Sequence, residues 1–108
     1  MNKLFLVFLA SLILYGCNNH VAPIENGATD MTSAGKEYKK FIPLFKNAAE
    51  IVRRDSKCKR VQLVDISLSK STVENPVFMV TCDDKNNRLF NTFVPYFKVK
   101  NYQPTNGN

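Results

Sequence analysis

The sequence predicts an α+β domain in which an N-terminal amphipathic helix packs on a three-stranded antiparallel meander. Three observations predict it. Apolar residues recur at spacings of three and four between Tyr38 and Val52, which puts them on one face of a helix. Three runs rich in branched and aromatic residues follow, at 61–68, 77–82 and 89–94. The segments between those runs are short and full of turn formers, so the order helix, strand, strand, strand closes as a meander that the helix can cover.

The chain opens MNKLFLVFLASLILYGC, with a cation at Lys3, an apolar run from Leu4 to Tyr15, and Gly16 before Cys17. That is the shape of a secretory leader. The run falls short of the roughly twenty apolar residues of a spanning helix, and Leu14 does not suit ordinary cleavage after Gly16, which wants small residues one and three positions before the cut. Leu14-Tyr15-Gly16-Cys17 resembles instead the lipobox of bacterial lipoproteins, with Tyr15 where a small residue is usual. The resemblance covers these first residues only and implies a processing route. By that resemblance, residues 1–16 are expected to be removed as signal peptide, and Cys17 to carry a diacylglycerol on its thiol and a fatty acid such as palmitate on its new amine. Asn18 is not the aspartate of the inner-membrane retention signal, so the same class rule implies the outer membrane if the host is of the enteric type.

After the anchor, residues 18–35 have few apolar residues, no sustained period and many turn formers. They read as a flexible tether, so that 17–35 is anchor and tether, 36–102 the domain and 103–108 a disordered tail. A flexible tether of this length holds its domain on the order of 23 Å from the lipid. Of the 15 Lys and Arg residues only Lys3 lies in the leader, leaving 14 against 9 acidic residues and a net charge of +5 on the mature chain. That excess favours acidic partners by long-range attraction, although a mixed solvated surface is the commoner explanation.

Within the helix, Tyr38, Phe41, Ile42, Phe45, Ala48, Ala49 and Val52 form the apolar face, opposite Lys39, Lys40, Lys46, Glu50 and Arg53. Pro43 lacks a backbone donor and disfavours helical geometry at Ile42, which predicts a kink or a short first turn before the main helix. The basic face also suits a membrane-surface helix, but the sheet that follows needs cover. Five cations, Arg53, Arg54, Lys57, Lys59 and Arg60, then crowd around Asp55. Cations at a helix C-terminus oppose the negative end of the dipole. Five exceed that need, so the cluster is a candidate contact for an anion or an acidic partner. Nucleic acid is not expected, because an exported domain seldom meets it and no reading motif accompanies the charge.

In the first strand candidate the alternation slips at Leu63-Val64, as a bulge or burial on both faces would cause. Val77 to Cys82 is almost wholly apolar, as a central strand is. Leu89 to Val94 either continues past Pro95 as YFKV or bends there, proline being suited to an edge strand. Cys58 precedes the first strand and Cys82 ends the second, so a hairpin closing near Ser71-Thr72 makes them neighbours. In an oxidising compartment they form a disulfide, whose loop stabilises by roughly 3.5 kcal/mol on chain-entropy grounds.

Catalysis has little to work with. A cysteine nucleophile needs a histidine partner, and the single histidine, His20, lies in the tether. One His and two paired Cys do not make a zinc site. Asp83 and Asp84 are adjacent turn residues, and no glycine-rich phosphate loop exists among 4 Gly residues. The expectation is therefore a non-enzyme without cofactor or metal. Two functions fit: a membrane-anchored periplasmic or surface lipoprotein that binds an envelope protein as a structural module, or a phage- or plasmid-type exclusion lipoprotein that blocks a surface receptor or the passage of DNA. Small outer-membrane assembly lipoproteins of helix-then-three-strand shape are an architectural analogy to the first, without their glycine-bearing motif.

Overall fold

A computed structural model describes residues 20–104. The leader, Cys17 and residues 105–108 lie outside the described residues. The α+β arrangement is as expected: a helical stretch over 36–52 covers one face of an antiparallel sheet of order β1-β2-β3. Its strands are β1 (Arg60–Ile66), β2 (Val77–Asp83) and β3 (Leu89–Pro95).

Pro43 divides the helix. Lys36–Leu44 is a 3-10 helix, and α1 (Phe45–Val52) is the α-helix that follows. Without its N–H, Pro43 cannot bond to the carbonyl four residues back, so the expected short first turn becomes a longer 3-10 entry. The sequence suits this: Tyr38, Phe41 and Leu44 are three apart, the 3-10 repeat, and Tyr38 and Phe41 are buried. Gly35 admits the chain to the helix at φ +123°, where a Cβ would stand 2.9 Å from Glu37 Oε1.

The apolar face lies on the sheet, which removes the membrane-surface reading of this helix. Phe45 and Phe78, both fully buried, meet edge to face at 5.8 Å, and Phe41 meets Phe78 and Tyr96 in the same manner. Val61, Val64 and Val80 complete the centre of the core. The slip in β1 is a bulge: Val61 pairs with Cys82 and Leu63 with Thr81, leaving Gln62 over. After Pro95 the chain bends instead of continuing as a strand, and YFKV becomes α2 (Tyr96–Lys100). Val99 drops into the core there, and its carbonyl accepts from Asn47 Nδ2 at 3.2 Å.

The segment read as a tether departs from that reading over 20–35. It runs as a strap along the free edge of β1, with a parallel bridge between Ile24 and Val61. The Val61 N–H donates to the Pro23 carbonyl at 2.9 Å, Glu25 N–H to Val61 at 2.8 Å and Val64 N–H to Ala28 at 2.9 Å. Ala22 and Ala28 are buried. The strap's far end is tied to Asp65, whose carboxylate accepts from the Thr32 hydroxyl, from the Ser33 hydroxyl at 2.6 Å and amide at 3.1 Å, and from its neighbour Ile66 N–H at 2.7 Å. The edge of β1 needed partners, and the strap supplies them through its main chain. Residues 20–35 are therefore part of the ordered domain, which extends N-terminal to residue 36.

Candidate functional site

The meander returns two connections to one end of the sheet, which also receives the C-terminus of α1 and the start of the strap. Cys58 and Cys82 form the expected disulfide at that end, with Cα atoms 5.4 Å apart and both residues fully buried. His20, distant in sequence from both bridged cysteines, reaches it: Nε2 donates to the Cys58 carbonyl at 2.7 Å. Cys58 is bridged, so this contact fixes the strap and does not create a nucleophile. Among the described residues no three His, Cys, Asp or Glu converge as metal ligands would, and no helix is long and apolar enough to cross a membrane.

The five cations read as one cluster separate into two groups. Arg53 and Arg54 straddle Glu50, each with an Nη1 to carboxylate distance of 2.9 Å. Arg53 Nε also donates to the Ala22 carbonyl at 2.8 Å, which ties the helix end to the strap. Burial pushes the Glu50 pKa up, but the hydrogen bonds and charge of the two arginines outweigh it and hold the carboxyl below its usual range. Arg60 pairs with Glu25 across the strap at 3.3 Å. These three arginines are thus paired with the chain's own acids.

Lys57 and Lys59 remain, and the fold adds Lys85 to them. All three line a groove of about 530 Å³ between the strap at His20–Pro23, the loop before β1 and the turn after β2. Lys57 Nζ lies 4.8 Å over the Phe90 ring, and Lys59 Nζ is 3.3 Å from Asn87 Oδ1. Asp84 is the acidic residue of the lining. Its Oδ1 accepts from Asn86 and Arg88 N–H at 2.8 and 3.0 Å, closing the turn in which Asn87 takes φ 62°. The Arg88 amide chiefly, then the Asn86 amide and the charges of Arg88 and Lys57, hold Asp84 below the usual carboxylate range against a modest cost of burial. With that oxygen committed to the backbone, the groove is lined by three lysines against one structurally employed carboxylate. Lys85 was legible in principle: it stands three residues after Cys82, and the disulfide fixes where that turn must lie.

A second surface lies on the sheet face away from the helix. Leu63, Thr81 and Asn91 pair in one row across the strands, and Met79 and Phe93 in the next, on the face opposite Phe78, Val80 and Cys82. Leu63 and Phe93 are each 41% exposed and Leu89 68%. Lys70 partly screens Phe93, with Nζ 4.8 Å from its ring centroid. Against protein-family models, curated proteins and solved structures alike, the chain gives no significant match.

Proposed function

We propose that the protein is a lipid-anchored, non-catalytic binding module of the cell envelope, held to its membrane at Cys17 and engaging an envelope protein through the open sheet face. The observation that carries this reading is the asymmetry of the sheet. One face is sealed by helix and core, while Leu63, Leu89 and Phe93 leave apolar surface on the other, the kind of surface that partner proteins cover. The Cys58–Cys82 bridge supports export, since such bonds persist in oxidising compartments. The leader supports anchoring by its resemblance to a lipobox.

A photo-crosslinking residue at Leu63 or Phe93, compared with one at Lys46 on the exposed side of α1, tests the partner surface in intact cells. Adducts to a discrete protein from the sheet positions alone are expected. Equal adducts from all three positions, or none from the sheet, would overturn the reading. Incorporation of a fatty-acid analogue tests the anchor: labelling is expected in the wild type and lost in Cys17→Ser, and labelling that persists in the variant rejects Cys17 as its site.

A further inference from the structure

The strap changes what an anchor at Cys17 would do to the domain. A flexible tether would let the domain turn freely above the lipid, but the chain is fixed from His20 onward by the hydrogen bond to Cys58 and the ladder along β1. Only three residue steps separate Cys17 from His20, which span at most about 10 Å when fully extended. That reach is comparable to the Debye length of about 8 Å at physiological ionic strength. The disulfide end must therefore lie within electrostatic range of the surface that holds Cys17, and this end carries the Lys57, Lys59 and Lys85 groove.

The orientation follows from the same topology. The strap runs away from the anchor along β1, and the 3-10 helix starts at the opposite end, where Lys40 and Phe41 line a hollow with Val73 and Glu74 of the β1-β2 connection. Lys36, Lys39, Lys40 and Lys70 thus belong to the far end, and α1 returns the chain to the near one.

We propose that the groove is a binding site for the phosphate headgroups of anionic lipids, and that it seats the domain on its own membrane with the disulfide end down and the sheet edge-on. The inference rests on the anchor assigned above. The role falls to the lysines, which line the groove, more than to the arginines of the neighbouring cluster, because Arg53 and Arg54 share Glu50 and Arg60 pairs with Glu25, which leaves that group one net positive charge. A lysine held near an anionic surface strengthens association about fivefold. Three acting together give on the order of a hundredfold at low salt, falling as salt is added. Seated in this way, the domain holds its exposed face of Leu63 and Phe93 upright beside the membrane, where it meets partners anchored in the same leaflet.

The test uses the full-length lipidated protein and an amine-reactive label read by mass spectrometry. Each lysine is compared with itself in neutral detergent and in vesicles of phosphatidylglycerol or phosphatidylcholine. Lys57, Lys59 and Lys85 are expected to lose about fivefold or more of their reactivity in the anionic vesicles and to recover it in high salt, while Lys36, Lys39, Lys40 and Lys70 stay unchanged. A second protein carries ten Gly/Ser residues inserted before His20, which removes enforced proximity. Protection that survives the insertion in phosphatidylglycerol but not in phosphatidylcholine supports headgroup binding. Protection lost in both lipids means proximity alone and overturns the site. The two readings fail differently: preparations without fatty acid at Cys17 remove the anchor and the proposal together. Labelled protein whose near and far lysines react alike keeps the anchor and overturns the seating.

Discussion

The helix and the strap are neighbouring segments of similar length that both close onto the sheet, yet they are held by different forces. The helix is held by side chains: Phe45, Ala48 and Ala49 are fully buried, and its registry is written in their spacing. The strap is held by its backbone, by two buried alanines and by one carboxylate at its end. Apolar periodicity is a record of side-chain burial, so it reports the first kind of attachment and is silent on the second. A segment that looks like a tether by composition is a tether only if no strand edge offers it hydrogen bonds.

The comparison can be broken most forcefully on the helix side. Phe45→Ala removes a wholly buried ring that packs on Phe78, and should cost about 3 to 5 kcal/mol, a large fraction of the stability of so small a domain. Thermal or urea unfolding measures it, and the strap should be lost together with the sheet. Removal of the bridge by Cys58→Ala with Cys82→Ala is next, at about 3.5 kcal/mol. Loss of both sulfurs acts on the shared end of the domain, where His20 docks on Cys58. A change in unfolding midpoint of under 1 °C would mean that the bridge contributes nothing.

The strap side is sharpened by Asp65. Asp65→Asn keeps the size but weakens the acceptor for Thr32 and Ser33, at an expected cost of about 1 to 3 kcal/mol. Limited proteolysis should speed up within 26–35 well before the core opens. The same residue has a pH signature. Burial raises its pKa, but the hydrogen bonds from Ser33, Thr32 and Ile66 outweigh this and lower it. Because the folded value lies below the unfolded one of about 4, the unfolded chain binds the proton more readily. The stabilisation is fully present above pH 5 or so and is lost as the pH falls through the unfolded and then the folded value. Glu50 acts in the same direction through its arginines. Asp65→Asn should flatten, not abolish, the acid limb of a stability profile, and an unchanged limb would show that this carboxylate is not ionised against the strap.

The legible parts of the fold follow the same division. The break in alternation near Leu63, the apolar β2, the helix face and the Cys58–Cys82 pair are all consequences of side-chain identity at fixed spacing and stood in the sequence, while the structure decides that the break is a bulge. The 3-10 geometry of 36–44 was half legible, since Pro43 forbids a regular helix without dictating its replacement. The turn of YFKV into α2 was undecided because both a bend and a strand suit proline, and burial of Val99 settles it. At the candidate site, Lys57 and Lys59 were found by charge alone. Their separation from Arg53, Arg54 and Arg60 was not, because it depends on Glu25 and Glu50, acids brought close only by the strap and the helix turn.

The central claim is that residues 20–35 belong to the folded domain, with the strap as part of the sheet. Native-state hydrogen exchange of the full-length protein tests it most directly, residue by residue. The account predicts slow exchange of the Ala22 and Glu25 amides, which donate to Arg53 and Val61, and of the Val61 and Val64 amides, which donate to Pro23 and Ala28. Exchange of Ala22 and Glu25 at the rate of an unstructured peptide, with α1 and β2 still protected, would contradict it and return 18–35 to a free tether.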